Sequence, residues 1–268
     1  MSTAPLASSK VAWVTGAGSG IGRALAARLA EEGWLVAASA RTAGDLDSLA
    51  AEIPGRISVF QLDVTDQAAC ATTAAAIVAA LGPIDLAVLN AGSYLPTTAK
   101  DFSVGNFRKT VDVNLMGVVN CMGPIVPSMV ERRRGHIAIM ASLTAFVGLP
   151  TAASYGATKA ALNSMAEAFK PEFDQYGVTI SVINPGFVST PATDKNSFPM
   201  PFLIEADEAV DHIMRGLEAK RFATNFPWQM VGAIRLLAAM PQRLKFAITR
   251  RMIPNGLDRT WETGPRAD

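Results

Sequence analysis

At 268 residues the chain has material for one large domain or two small ones, and half of it is hydrophobic against 18% charged, the balance of a soluble α/β protein with a heavily buried sheet. Its 24 Lys and Arg against 23 Asp and Glu leave a net charge of +1, which gives no basis for binding nucleic acid or another polyanion. Cys70 and Cys121 form no C-x-x-C pair and stand near no histidine cluster, so neither a disulfide nor a metal site is expected and a reducing cytoplasm is the natural compartment. The opening MSTAPLASSK lacks the charged start and apolar run of a signal peptide. No uninterrupted apolar stretch is expected to span a membrane.

Val11–Thr15 is a short β-type run that ends directly in Gly16-Ala17-Gly18-Ser19-Gly20-Ile21-Gly22. A helical pattern follows from Arg23 to Glu32, with Leu25 and Leu29 on one face. Strand, glycine turn and helix in this order suit a dinucleotide: glycines let the backbone approach a pyrophosphate, and the helix start offers amide donors and a positive dipole end. Further strands are predicted at Leu35–Ala40, Ile57–Leu62, Leu86–Leu89, His136–Met140 and Val178–Ile183. Between them, Ala68–Ala80, Val111–Met129 and Ser154–Gln175 carry helical patterns. The alternation predicts one doubly wound α/β domain over 1–268, with a mainly parallel sheet of about seven strands and helices on both faces.

Tyr155 and Lys159 stand four residues apart at the head of an alanine-rich helical run, so both side chains fall on one helical face about a turn apart. A free phenol, with a pKa near ~10, is a poor acid or base at neutral pH. An ammonium about 4 Å away, at an effective dielectric of about 20, is worth about 4 kcal/mol and lowers that pKa by about 3. Tyr155 would then serve as a general acid/base. The plainer alternative is a surface lysine one turn after a half-buried tyrosine. Ser142 lies just past the strand His136–Met140, at the sheet edge where open α/β folds bind ligands.

The spacing Thr15-Gly-x-x-x-Gly-Ile-Gly22, with Tyr155-x-x-x-Lys159, resembles the short-chain dehydrogenase/reductase family. The resemblance runs from about Lys10 to Pro191, roughly two-thirds of the chain. Asp63-Val64 is similar to the family's adenine-contacting pair, and Asn90-Ala91-Gly92 to the turn that closes over the cofactor. Pro185-Gly186, with Val188 and Thr190, is similar to the segment along the nicotinamide carboxamide. Gly16, Ser19, Gly20, Ile21 and Gly22 would hold the pyrophosphate. Ser142 precedes Tyr155 by the family's 13 residues, and Asn114 matches its helix asparagine. The resemblance implies a tetrad in which Tyr155 donates a proton to a carbonyl oxygen held by Ser142. Lys159 would lower the Tyr155 pKa and bind the nicotinamide ribose, and Asn114 would position a water linking Lys159 to solvent. It also implies a homodimer or homotetramer.

An NAD site puts Asp or Glu at the end of the second strand. Here that position is Ala40, followed by Arg41 and Thr42. Arg41 can grip a 2′-phosphate that a carboxylate would repel, so NADP(H) is expected ahead of NAD(H). A solvated Arg41 is the other reading.

Residues 192–204, ATDKNSFPMPFLI, stand where a substrate lid is expected, and with Tyr94, Leu95, Phe146, Val147 and Phe187 they suggest an apolar pocket. A helix at Glu205–Lys220 and a strand at Arg221–Phe226 follow. Gln229–Ile253 is a basic amphipathic segment with no acidic residue; it can lie on an anionic membrane, close the pocket mouth or bury itself against a second subunit. His136 and His212 are read as structural, and Glu131–Gly135 as a solvated loop. The residues after Thr260 are read as a loose tail. The sum is an NADP(H)-dependent oxidoreductase interconverting an apolar ketone and a secondary alcohol. A reductase of 3-oxoacyl or other long-chain lipid ketones stands beside it, and a catalytically silent NADP-binding regulator is the alternative of another class.

Overall fold

The computed structural model describes residues 9–191, 193 and 199–253. Seven strands form one sheet: β1 (Val11–Thr15), β2 (Leu35–Ala40), β3 (Ile57–Gln61), β4 (Ile84–Leu89), β5 (Gly135–Met140), β6 (Val178–Pro185) and β7 (Ala223–Phe226). Their order is β3-β2-β1-β4-β5-β6-β7, and every neighbouring pair is parallel. The helices are α1 (Gly20–Glu31), α2 (Ala43–Glu52), α3 (Gln67–Leu81), α4 (Val104–Val111), α5 (Gly117–Glu131), α6 (Ala153–Gln175), α7 (Ala206–Glu218), α8 (Trp228–Ala239) and α9 (Gln242–Arg250). The doubly wound parallel architecture expected from the alternation is the one observed.

Parallel strands covered on both faces must be apolar on both, and β1 shows how the sequence meets this. Val11 and Trp13 enter the core shared with α3, α5 and α6; Ala12 and Val14 enter the opposite core under α1, α2 and α7. Trp13, fully buried, has its one polar atom satisfied by donating Nε1–H to Ser39 Oγ at 3.0 Å. Strand order reverses between β1 and β4, so the crevice at their carboxyl ends is the place where this fold leaves room for a ligand.

Two expectations need correcting, and a third segment gains detail. The helix predicted over Val111–Met129 is longer and interrupted: α4 and α5 flank a π-helical turn at Asp112–Met116. The whole of Val104–Glu131 is, by length and composition, long and apolar enough to cross a membrane, contrary to the reading that no stretch is. Its Val118, Cys121, Met122, Ile125 and Met129 are built into the sheet core, which is where its apolar composition is used. The basic segment Gln229–Ile253 is two helices, because Pro241 cannot continue α8 and instead opens α9.

Within that first core Cys70 and Cys121, 51 positions apart, meet as free thiols with their sulfurs 3.8 Å apart. The presumed solvated loop after α5 is also more tied down than expected. Arg132 donates to Ile84 O at 2.9 Å, Arg133 to Gln175 O at 2.8 Å and Arg134 to Asp85 Oδ1 at 2.9 Å. Of the stretch 192–204, Ala192 and residues 194–198 lie outside the described residues. Ile204 returns to pair with Val188, and its carbonyl accepts from Ser189 N at 2.8 Å. The tail after Thr260 and the first eight residues also lie outside the described residues.

Candidate active site

The glycine turn leaves β1 with Gly16 and Gly20 at φ +67° and +55°, conformations that glycine adopts without strain. A Cβ on Gly22 would stand 2.3 Å from Gly16 O and 2.4 Å from Asn90 Nδ2, so only glycine fits there. Asn90 is the reason the turn is so tight. Its amide donates to Thr15 O at 3.0 Å and Gly16 O at 3.2 Å, while the Asn90 and Ala91 N–H groups both donate to Thr15 Oγ1. Asn90 thus holds the turn with both N–H groups of its side chain.

Ser19, at the N-cap of α1, makes no side-chain cap bond, whereas α3 and α4 are capped by Asp66 and Ser103. The first amides of α1 therefore remain open to an anion, together with the positive end of the helix dipole. Thr190 closes the other side, its Cγ2 3.0 Å from where a Gly20 Cβ would be. Val188 is buried in the core, and its carbonyl accepts from Thr193 Oγ1 at 2.7 Å. A dinucleotide pyrophosphate fits this cradle.

At the adenosine end Asp63 Oδ1 accepts from Thr65 N at 3.0 Å and Thr65 Oγ1 at 2.8 Å. These bonds, helped by the charge of Arg41, hold its carboxyl below the usual carboxylate range. Val64 turns its side chain into the core and its carbonyl to Asn120 Nδ2 at 2.9 Å. Arg41 is exposed beyond the end of β2, its carbonyl fixed by Gln61 Nε2 at 2.7 Å.

The remaining candidates converge on the same edge. Ser142 follows β5, accepts from Thr144 N at 3.2 Å and donates to Pro185 O at 3.5 Å, which ties it to the Pro185-Gly186 turn. Tyr155 lies in the first turn of α6, with the edge of one ring against the face of the other in its contact with Tyr94, centroids 5.4 Å apart. Tyr94 in turn is bonded to Thr151 Oγ1 at 3.0 Å. Lys159, one turn on and only 2% exposed, donates to Met140 O at 2.7 Å. A Cβ on Gly92 would lie 3.6 Å from the ammonium and 3.5 Å from Asn114 Oδ1, in ordinary contact with both, so the turn after β4 runs directly beside these two side chains.

Two of the candidate side chains are already engaged. Lys159 Nζ sits 5.5 Å from the centroid of the Tyr155 ring and donates to Met140 O. Burial pushes the Tyr155 phenol above its ordinary value, with a Ser142 hydrogen bond pulling the other way and Tyr94 adding to the rise. Burial also brings the Lys159 ammonium down to about 8. Asn114, in the π-helical turn, accepts from Ser93 N at 2.7 Å and donates to Ser93 O at 2.9 Å and Thr158 Oγ1 at 3.3 Å. Both of its N–H groups are used, leaving one Oδ1 lone pair for a water. Its main work is to fix the turn after β4 against α6. A single inserted residue of this kind is a common device at functional sites, and spacing alone did not reveal it.

The histidines stay apart from this edge. His136 Nε2 bonds Ser181 Oγ at 2.5 Å, and burial brings its pKa down to about 4; His212 stacks on Phe226. The walls next to Ser142 are apolar: Leu143 and Val147 pack with Met230, Ile234 and Leu237 of α8, and Phe187 joins them. Phe146 is exposed at the rim.

Comparison with known proteins places the whole chain. The family model for short chain dehydrogenase matches residues 10–199. An uncharacterized oxidoreductase of Myxococcus xanthus is 37% identical over 246 residues, covering 91% of this chain and 97% of its own. A 3-oxoacyl-acyl-carrier-protein reductase of Thermotoga maritima is 33% identical over 189 residues, 69% of this chain and 77% of its own. Among solved structures, a short chain dehydrogenase/reductase from Burkholderia phymatum in complex with NAD is 25% identical, with a TM-score of 0.78 over 85% of this chain and 92% of its own. The chain belongs to the short-chain dehydrogenase/reductase family. Its chemistry is that family's oxidoreduction of carbonyl and alcohol groups with a nicotinamide dinucleotide.

Proposed function

We propose that the protein reduces an apolar ketone to a secondary alcohol with NADPH, using Ser142, Tyr155 and Lys159. The observation that carries this reading is the convergence of those three side chains beside the open helix start of α1. When bound, the cofactor supplies the hydride. Ser142 holds the substrate oxygen by a hydrogen bond that strengthens as negative charge develops on it. The raised phenol of Tyr155 keeps its proton at neutral pH and gives it to that oxygen. Lys159, still largely charged at pH 7, has two N–H groups beyond the one on Met140 O with which to hold the ribose and steady the Tyr155 proton.

NADP(H) over NAD(H) is supported by Arg41, exposed at the end of β2 where Ala40 stands in place of an acid. The apolar substrate is supported by the wall that Leu143, Val147 and Phe187 build with α8. A 3-oxoacyl chain is a substrate of this kind, and the likeness to the Thermotoga maritima reductase favours it as a second reading. Exposed Met116 and Val119 support a homo-oligomer.

Steady-state assays of a ketone and alcohol panel with NADPH and NADH test both parts. NADPH oxidation with bulky ketones is expected, and Arg41→Asp is expected to move the preference to NADH by about tenfold or more. No turnover with any ketone would remove the catalytic reading in favour of a silent NADP-binding regulator. Unchanged cofactor preference in Arg41→Asp would remove the NADP reading.

A further inference from the structure

The helix pair α8 and α9 has two faces with different chemistry. On the inner face Met230, Ile234 and Leu237 pack on Leu143 and Val147 beside the candidate site. Toward solvent, Trp228 is 78% exposed, and Leu236 and Phe246 are each 63% exposed. Leu244, Met252 and Ile253 are exposed as well, so large apolar side chains are concentrated in this one stretch instead of being scattered singly over the surface. The charge of the same stretch is one-sided. Arg235, Arg243, Lys245, Arg250 and Arg251 lie between Gln229 and Ile253, with no Asp or Glu among them. None of the five makes an ion pair among the described residues.

We propose that this outer face is a docking surface for an anionic lipid bilayer. Apolar and aromatic side chains enter the boundary between headgroups and acyl chains, while Arg and Lys reach from the same helices to lipid phosphates. Trp228 suits that boundary, having a large apolar body and one N–H. A second copy of the chain is a poorer occupant. A two-fold contact would set this face against itself and bring two groups of five unpaired cations together, which association disfavours. An anionic surface removes that repulsion and supplies the missing countercharge. Docking here would lay the apolar wall of the candidate site close to the bilayer. The inference stands on the surface alone and does not rest on the reductase reading.

The full chain is floated with vesicles of phosphatidylcholine alone and of phosphatidylcholine mixed with phosphatidylglycerol, at low and high salt. Binding to the mixed vesicles that falls at least tenfold in high salt is expected. The same loss is expected for the triple variant Arg243→Glu, Lys245→Glu, Arg250→Glu and, separately, for Phe246→Ser. Turnover of a small soluble ketone and the melting temperature, unchanged in these variants, show that they fold. No flotation with the mixed vesicles, or equal flotation with both kinds, overturns the proposal. Flotation that requires removal of residues 254–268 assigns the face to the chain's own end and also overturns it. So does a dimer that dissociates on Phe246→Ser without any vesicle binding.

Discussion

The two edges of the sheet are built from similar residues and put to opposite uses. At the amino edge most of the charge is tied into bonds, with Arg132 Nη1 the buried exception. Asp85 accepts from Val11 N at 3.2 Å and Arg134 at 2.9 Å, Arg132 and Arg133 cap carbonyls of β4 and α6, and His136 is bonded to Ser181. At the carboxyl edge, polar groups are left with capacity to spare. The α1 start has no side-chain cap, and Lys159 is buried against a single carbonyl. A cavity of about 590 Å³ lies at the amino edge, lined by Lys10, Asp85, Arg134 and His136 among others. Volume alone therefore does not mark the candidate site; the glycine turn and the uncapped start of α1 do.

The largest expected effect is chemical. Tyr155→Phe removes only the hydroxyl and should lower kcat by about 10²–10⁴-fold, with cofactor affinity measured by fluorescence titration unchanged. Near-parent turnover would move the chemistry away from this edge. Next comes Gly22→Ala, whose methyl must push aside Gly16 O or the Asn90 amide. Overpacking of this kind costs about 1–3 kcal/mol, to be read by thermal melting, and cofactor binding should weaken with it. Normal affinity in that variant would mean that the cradle is not where the pyrophosphate sits.

The pH profile sharpens the comparison further. Reduction needs a protonated Tyr155 and a charged Lys159, and burial sets the Lys159 value at about 8. kcat/KM for reduction should therefore hold through neutral pH and fall about tenfold per pH unit above that value. Lys159→Arg should move this limb upward, since a guanidinium stays charged; an unmoved limb would clear Lys159 of the role. The same depressed value makes burial of the Lys159 charge a cost in the folded state. That cost is present in full below about pH 8 and is relieved as pH rises toward the unfolded value.

The smallest effect on rate belongs to the other edge. Asp85→Ala leaves Val11 N and Arg134 without their partner and should cost about 1–3 kcal/mol of stability. Its kcat/KM should equal the parent's. A selective loss of activity would mean that the amino edge takes part in function.

Much of the carboxyl edge was legible in the sequence because its parts depend on short spacings. The glycine turn follows β1 immediately, and Tyr155 and Lys159 share a helix. What escaped depends on contacts between distant residues. Nothing local says that Lys159 turns to Met140, that the Asn114 amide is used up by Ser93 and Thr158, or that Cys70 meets Cys121. The π-helical turn adds one residue to a helix whose apolar pattern otherwise continues, so periodicity reads through it. Arg132, Arg133 and Arg134 look solvated in a charge run, and only the fold brings the ends of β4 and α6 to them.

The most direct test is a crystal structure of the complex with NADPH. The account predicts the Tyr155 hydroxyl and Ser142 Oγ facing the hydride-carrying edge of the nicotinamide, with the Lys159 ammonium on the ribose hydroxyls. A cofactor lying in the cradle with the phenol of Tyr155 turned away from that ring would contradict it.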